Sequence, residues 1–164
     1  RTEERRSKEE FGSRSALKYR DIKEARKSCE QLLSQPFTLL NYLEGTRYTP
    51  EKHAQQKSPY KHLLKPKAGG LALALNILGK DIDALVDMTI IYPNGAPGYG
   101  EFWLGDVSKI AVNLRKIDIP EWVHGGDYED DLEYRDRFQK WVDDLWAEKD
   151  QLIEKMKQNI ASAE

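Results

Sequence analysis

Apolar and polar residues follow one another in blocks that predict a mixed α/β domain. An apolar, aromatic and β-branched run over 37–43, opened by Pro36, predicts a buried strand that stops at a carboxylate. Before it, Asp21 and Glu24 have the spacing of a capping box, and apolar residues follow them at helical spacing. This pattern predicts a helix over about 21–35 that lies against the sheet and is ended by Pro36.

The middle of the chain contains a long polar segment followed by an apolar one. Residues 48–64 show no sustained period of either kind, which predicts a long loop. Because this loop leaves directly from Arg47, it is a candidate lid or substrate-facing loop. The run 71–78 is apolar on nearly every side, which predicts a buried helix that Gly79 terminates.

Alternating apolar positions predict two further strands, over about 85–92 and 107–117. In the first of these strands, one face is formed by Val86, Met88, Ile90 and Tyr92. In the second, the residues expected to point inward are Ile110, Val112 and Leu114, and those expected to point outward are Lys109, Asn113 and Arg115.

The glycine-rich stretch between these two strands is predicted to be a loop with three aromatic residues, Tyr99, Phe102 and Trp103. We interpret them as side chains that cover an edge of the core, because isolated aromatic residues in loops usually pack there. Contact with an acyl chain is the alternative.

The last part of the chain predicts a long amphipathic helix that begins near Asp130. Its apolar stripe consists of Phe138, Trp141, Val142, Leu145, Trp146, Leu152, Ile153, Met156 and Ile160. The opposite face carries both signs of charge, which favours packing on the body of the protein over lying on anionic lipid. At the other end of the chain, residues 1–15 are charge-dense and predict a mobile or solvated arm, with a membrane-surface arm as the alternative.

The composition narrows the class of protein. The chain has 164 residues, of which 39% are hydrophobic, and this is typical of one globular domain. Its formal net charge is -2, so it lacks the broad basic excess of a nucleic-acid-binding protein. No run approaches the ~20 apolar residues of a membrane-spanning helix, and no signal peptide opens the chain. Because the chain begins without methionine, we expect it to be part of a longer protein.

Metal and nucleotide chemistry find little support in the sequence. A metal site needs clustered ligands, but His53, His62 and His124 are scattered along the chain, so no metal site is predicted. The single cysteine, Cys29, cannot form an internal disulfide, and we interpret it as a small buried hydrophobic residue. The glycine-rich run 95–100 lacks the strand–turn–helix frame of a dinucleotide site or a P-loop.

The strongest candidate site lies at the end of the 37–43 strand, where the chain reads Glu44, Gly45, Thr46 and Arg47. The guanidinium of Arg47 presents a fork of donors that suits phosphate, and glycine lets the backbone approach a ligand closely. A phosphate-bearing ligand is therefore predicted.

The start of the apolar helix is a second anion-binding candidate. Free backbone N–H groups and the positive end of the helix dipole favour an anion there. Lys65, Lys67 and Gly69 are the secondary contacts that would share one phosphate with Arg47. The alternative is that Gly69 and Gly70 only permit close helix packing while the two lysines are solvated.

The motif at 44–47, placed after an apolar strand, resembles the third sequence motif of the glycerolipid acyltransferases, the family of 1-acylglycerol-3-phosphate (lysophosphatidic acid) acyltransferases. The order of the segments around it is similar to a bacterial probable-acyltransferase branch of this family. Those segments are 26–30, 47–52, 62–70, 87–93, 141–142 and 145–150. The resemblance covers about residues 16–160.

The resemblance implies a mixed β-sheet flanked by helices and truncated at the N-terminus, with residues 16–164 as the C-terminal part of an acyltransferase domain. It implies that an acyl group passes from a thioester, acyl-CoA or acyl carrier protein, to the hydroxyl of a lysophospholipid in phospholipid biosynthesis, without a cofactor. It also implies that the parent protein meets the cytoplasmic face of the inner membrane through a part that precedes this chain.

In that family a histidine acts as general base and is held by an aspartate five positions later. The residues at that spacing here are Ser58 after His53, Lys67 after His62 and Glu129 after His124. We therefore expect no catalytic residue in this chain, which should be inactive alone. The alternative is a non-catalytic phospho-ligand-binding or protein-interaction domain.

The resemblance assigns the four motif residues to the pocket for the phosphate of the acceptor. Arg47 would bind the phosphate, Thr46 would offer a hydroxyl, and Gly45 would allow the turn. Glu44 cannot bind phosphate directly, so we expect it to orient Arg47 or a backbone amide.

Overall fold

The structure is a computed structural model that describes residues 36–93, 97–105 and 109–162, together with Lys27, Gly95 and Val107. The predicted arm over 1–15 lies outside the described residues. The predicted helix over 21–35 also lies outside them, apart from Lys27.

The described chain is a mixed α/β fold that contains one small sheet and ends in a long helix. Its helices are α1 (Pro50–Gln56), α2 (Gly69–Leu78), α3 (Tyr99–Leu104) and α4 (Leu132–Ser162). Its strands are β1 (Leu85–Ile91) and β2 (Ala111–Ile117), and short 3-10 turns occupy Gly79–Asp81 and Glu121–Val123. The two strands are antiparallel, with Leu85 opposite Ile117 and Ile91 opposite Ala111. The two predicted strands and the long C-terminal helix are thus confirmed, with β2 starting later than expected.

The predicted strand over 37–43 is wrong, since the described chain from 36 to 42 has no regular structure. Leu39 and Leu40 are 47% and 61% exposed, and only Leu43 at the end of the run packs against the core. A strand needs a neighbouring strand to pair its backbone groups, and no strand in the described part of the chain pairs with this run. The predicted mixed sheet is therefore replaced, among the described residues, by a two-stranded antiparallel one.

The two faces of the sheet are the reverse of those expected. Ile110, Val112 and Leu114 were expected to point inward but are exposed, and Val86, Met88 and Ile90 of the neighbouring strand are exposed with them. The opposite face packs on α4, and it carries Asn113 and Arg115, which were expected to point outward. Alternation separates two faces but does not reveal which of them is covered. Here the charged positions are accommodated because α4 supplies partners for them.

The core lies between α2, α4 and the segments that precede them. The first cluster is formed by Ala68, Leu71, Ala72, Leu75, Val123, Tyr134, Phe138 and Val142. The second is formed by Tyr60, Leu63, Ile91, Trp146 and Ile153. The predictions that α2 is buried and that α4 docks on the body of the protein are both confirmed.

The ends of these two helices follow local signals. Gly79 has φ +54° after α2, and its N–H donates to the carbonyl of Leu75, as expected of a terminating glycine. The carboxylate of Asp131 accepts from the N–H of Tyr134 at 3.0 Å, so it caps α4 close to the predicted start.

Two segments predicted to be loops contain short helices. In the first, Thr49 caps α1 by accepting from the N–H of Lys52 at 3.2 Å, and Pro50 begins the helix. In the second, α3 leaves Phe102 and Trp103 57% and 74% exposed. Our interpretation that these two aromatic side chains cover a core edge is therefore wrong.

Candidate anion-binding site at the 44–47 turn

The candidate site is a tight turn whose geometry depends on Gly45. The N–H of Gly45 donates to the carbonyl of Tyr42 at 2.9 Å, and Gly45 has φ +64°. This left-handed conformation strains most other residues. A Cβ atom at this position would lie 3.4 Å from the ammonium nitrogen of Lys67, so the side chain of Lys67 lies against the turn.

The turn contacts the segment that leads into α2. The N–H of Lys67 donates to the carbonyl of Leu43 at 2.7 Å, which fixes the two stretches side by side. Of the predicted secondary contacts, the structure thus places Lys67 at the turn. Lys65 is exposed and its N–H binds Gln56, whereas Gly69 faces the ring of Tyr128, where a Cβ would lie 3.4 Å away. Gly69 therefore packs beside the ring of Tyr128, where a Cβ atom would make an ordinary contact.

Glu44 turns into the protein and binds a backbone amide, which is one of the two roles considered for it. Its Oε1 accepts from the N–H of Leu64 at 3.1 Å. Burial raises the pKa of this carboxyl, while the amide of Leu64 and the positive charge of Lys149 partly offset the effect. The acidic residue of the motif is thus directed at a backbone amide, and it forms no ion pair with another residue that the structure describes.

The other two motif residues are exposed and are contacted by Lys52. The ammonium of Lys52 donates to Oγ1 of Thr46 at 2.6 Å and to the carbonyl of Arg47 at 3.2 Å. Within the described part of the chain, the guanidinium of Arg47 has no hydrogen-bond or ion-pair partner. Sequence reasoning missed Lys52, although Thr49 followed by Pro50 is a recognisable helix start that would have placed it one turn inside a helix.

The segment bound by Glu44 is anchored to α4. The indole N–H of Trp146 donates to the carbonyl of Leu64 at 3.1 Å. The carboxylate of Asp150 accepts from the backbone N–H groups of Lys61 and His62 at 2.8 and 2.7 Å. These bonds join the 62–70 and 145–150 segments, which are far apart in the sequence.

A second set of contacts links the sheet to the same helix. Asp87 on β1 binds the ammonium of Lys149 at 2.5 Å and a guanidinium nitrogen of Arg115 at 3.2 Å. Arg115 also binds Glu148 at 2.6 Å. Since the charge of Lys149 also acts on Glu44, this ion-pair network lies close to the carboxylate that supports the turn.

The histidines take structural positions. Nε2 of His53 lies 2.6 Å from the carbonyl of Tyr60, and Nε2 of His62 lies 2.7 Å from a carboxylate oxygen of Glu154. His124 lines a surface recess of about 330 Å³ at the end of the sheet, together with residues 82–85, residues 116–119 and Glu121, none of which belongs to the turn. In the residues that the structure describes, no group of three or more His, Cys, Asp or Glu is arranged to hold a metal ion. Among the same residues, no helix has the length and apolar character needed to span a membrane.

The site as a whole presents positive charge and donors on one turn. Arg47 and Lys67 form no ion pair within the described part of the chain, Thr46 adds a hydroxyl, and Lys52 binds the carbonyl of Arg47. Phosphate accepts hydrogen bonds on several oxygens and is attracted to such a cluster. The arrangement suits binding of a phosphate.

A comparison with known proteins found a similar acyltransferase. The chain is 30% identical over 138 residues to a 2-acyl-1-lysophosphatidylinositol acyltransferase of Saccharomyces cerevisiae, in an alignment that covers 73% of this chain and 33% of the yeast protein. The chain thus spans about a third of the length of the curated relative it matches. No family model and no solved structure matches the chain. The similarity to the yeast enzyme supports an acyltransferase family for this chain.

Proposed function

We propose that this chain is the C-terminal, acceptor-binding part of an acyltransferase that acts on a lysophospholipid. The observation that carries the proposal is the exposed turn at 44–47, where Arg47 and Lys67 form no ion pair with any acidic residue that the structure describes, while Glu44 binds a backbone amide. The yeast relative is named for a lysophospholipid acceptor. Every lysophospholipid carries a phosphate, and this is the group that the turn is suited to bind.

In the proposed reaction, this chain holds the acceptor. Arg47 makes a bidentate contact with the phosphate, Thr46 donates its hydroxyl hydrogen, and Lys67 adds a second positive charge. The general base lies in a part of the parent protein that precedes this chain. There it removes the proton of the acceptor hydroxyl, whose oxygen attacks the thioester carbonyl and displaces the thiolate.

The remaining partners follow from this role. The acyl donor is acyl-CoA or acyl carrier protein, the acceptor resembles 1-acylglycerol-3-phosphate, and the pathway is phospholipid biosynthesis. The parent protein works at the cytoplasmic face of the inner membrane, which it meets through the part preceding this chain. The bacterial branch of the family stays a prediction, because the similar enzyme is from yeast.

The second candidate is a non-catalytic phospho-ligand-binding or protein-interaction domain. The exposed apolar face of the β1–β2 sheet favours it, because faces of this kind mark interaction sites. The two candidates differ in the sequence upstream of this chain. A His-x4-Asp pair there supports the enzyme, and its absence supports the binding domain.

The test is acyl transfer from acyl-CoA to lysophosphatidic acid, measured for the full-length parent and for the 164-residue chain. We expect turnover by the parent and none by the chain. Arg47→Ala in the parent should weaken acceptor binding roughly tenfold or more, because a charge-assisted contact contributes about 1.5 to 3 kcal/mol.

Lys140→Ala is the control, since it removes one exposed positive charge that pairs with Asp144 on the same helix. Unchanged acceptor dependence in a folded Arg47→Ala parent would reject the phosphate role. Turnover by the chain alone would reject an upstream base.

A further inference from the structure

Lys52 lies on α1 but is directed back at the candidate site. Its side chain is half-buried, and its ammonium donates to Oγ1 of Thr46 at 2.6 Å and to the carbonyl of Arg47 at 3.2 Å. Lys52 therefore binds two consecutive residues of the turn, Thr46 through the threonine side chain and Arg47 through the arginine backbone. It lies in the 47–52 segment, but no role in the site was predicted for it from the sequence.

The helix that carries Lys52 is itself fixed to the body of the protein. Nε2 of His53 lies 2.6 Å from the carbonyl of Tyr60, and this contact requires the imidazole to donate there, since a carbonyl only accepts. At the end of α1, Oε1 of Gln56 accepts from the N–H of Lys65 at 3.2 Å. Tyr60 is buried in the second core cluster. The helix backbone from which Lys52 extends is therefore fixed to the core.

The bond from Lys52 decides what the hydroxyl of Thr46 can do. An ammonium group has donors only, so Oγ1 of Thr46 must accept in this contact. The hydroxyl hydrogen then points away from Lys52 and stays available to donate. The second bond holds the carbonyl of Arg47 and so limits rotation of the backbone from which the guanidinium extends.

We propose that Lys52 is a positioning residue of the anion site, which orients the Thr46 hydroxyl as a donor and fixes the Arg47 backbone so that both face one phosphate. This inference rests on the proposed function, because it takes the turn to be a phosphate site. Lys52 acts through Thr46 and Arg47, and two of its three N–H donors are already directed at them.

The test is a double-mutant cycle on the 164-residue chain, with glycerol 3-phosphate as the probe and amide NMR shifts as the readout. Lys52→Met keeps the aliphatic stem and removes the donors, and Thr46→Val keeps the shape and removes the hydroxyl. Each should weaken binding about tenfold, in line with the loss of a hydrogen bond to a charged group. The double variant should bind about as tightly as the single variant with the lower affinity, because Lys52 acts largely through Thr46.

Two further variants separate positioning from general effects. Lys52→Arg retains donors and should recover most of the affinity. Lys57→Met removes one positive charge at the end of the same helix and should bind like the wild type. In Lys52→Met, but not in Lys57→Met, the amide signals of Thr46 and Arg47 should shift before any probe is added. If Lys52→Met does not fold, Lys52→Gln takes its place in the cycle.

Each outcome is decisive. Fully additive losses in the double variant, with unshifted Thr46 and Arg47 amide signals in Lys52→Met, would mean that Lys52 contacts the phosphate itself, and unchanged binding by folded Lys52→Met would mean that it has no role in the site. Both results would overturn the inference while leaving the proposed function intact. Folded wild-type chain that does not bind glycerol 3-phosphate would reject the phosphate site and the inference together.

Discussion

Glu44 and Trp146 bind the two backbone polar groups of the same residue. Oε1 of Glu44 accepts from the N–H of Leu64 at 3.1 Å, and the indole of Trp146 donates to the carbonyl of Leu64 at 3.1 Å. Leu64 is fully buried, so neither group can turn to water instead. The candidate turn and the long C-terminal helix are thus held in a fixed relation through one residue.

Removal of the Glu44 carboxylate should destabilise the fold. Glu44→Ala leaves the buried N–H of Leu64 without a partner, which costs about 1–3 kcal/mol of unfolding free energy. Glu44→Gln keeps an oxygen that can accept, so it should cost clearly less. Urea unfolding followed by tryptophan fluorescence gives both values, and equal stability of Glu44→Ala and wild type would contradict the structure.

The geometry of the cation at position 47 should matter as well as its charge. Arg47→Lys keeps one positive charge but cannot make the bidentate contact of a guanidinium. We therefore expect acceptor affinity to fall in the order wild type, Arg47→Lys, Arg47→Ala, with the charge-conserving variant recovering only part of the loss. The measurement is acyl transfer by the parent protein across acceptor concentrations. Equal affinity of Arg47→Lys and wild type would indicate a simple point-charge contact.

Acid stability should depend on Glu154. Hydrogen bonds from Lys61 and His62 lower the pKa of its carboxyl from 4.5 to about 2. Because the pKa is lower in the folded state, the stabilisation is present above pH 4.5 and is lost as the pH falls towards 2. Unfolding free energies measured across this range should show Glu154→Gln less stable than wild type at the upper end and equal to it at the lower end. Asp136→Asn, an exposed change on the same helix, is the control.

Alkaline stability should depend on Tyr60. Burial and the nearby negative charge of Asp143 raise the pKa of its hydroxyl from 10.0 to about 12. The unfolded chain therefore loses this proton first, so stability should fall between pH 10 and about 12. Tyr60→Phe should flatten that part of the profile in urea unfolding experiments, whereas Tyr42→Phe, at an exposed ring, should not. A slope that survives in Tyr60→Phe would assign the effect to another group.

The covered face of the sheet can be tested by paired substitutions on β2. Leu114→Thr changes an exposed side chain and should alter the unfolding free energy by no more than about 0.5 kcal/mol. Ile117→Ala removes buried methyl groups and should cost about 2–5 kcal/mol. A large loss for Leu114→Thr with a small one for Ile117→Ala would restore the orientation expected from the sequence.

The sequence by itself determined the features that depend on neighbouring residues. The apolar run before Gly79 specifies a buried helix and its end, and the alternation around Met88 specifies a strand. The helix signal after Asp130 located α4 to within two residues. The start of α1 also depends on neighbouring residues, since Thr49 caps the helix and Pro50 begins it. The polar character of the segment led us to predict a loop there instead.

Only the tertiary structure decided the features that depend on distant partners. The run 37–43 has the residue types of a strand, but strand formation requires pairing, and no described strand pairs with it. The orientation of the sheet was decided by ion pairs with α4. Glu148 pairs with Arg115, and Lys149 pairs with Asp87, on the inner face of the sheet. The sequence identified the chemistry of the turn, but its support comes from backbone atoms and from residues far along the chain. Such contacts leave no periodicity in a sequence, so they become visible only when the chain is folded.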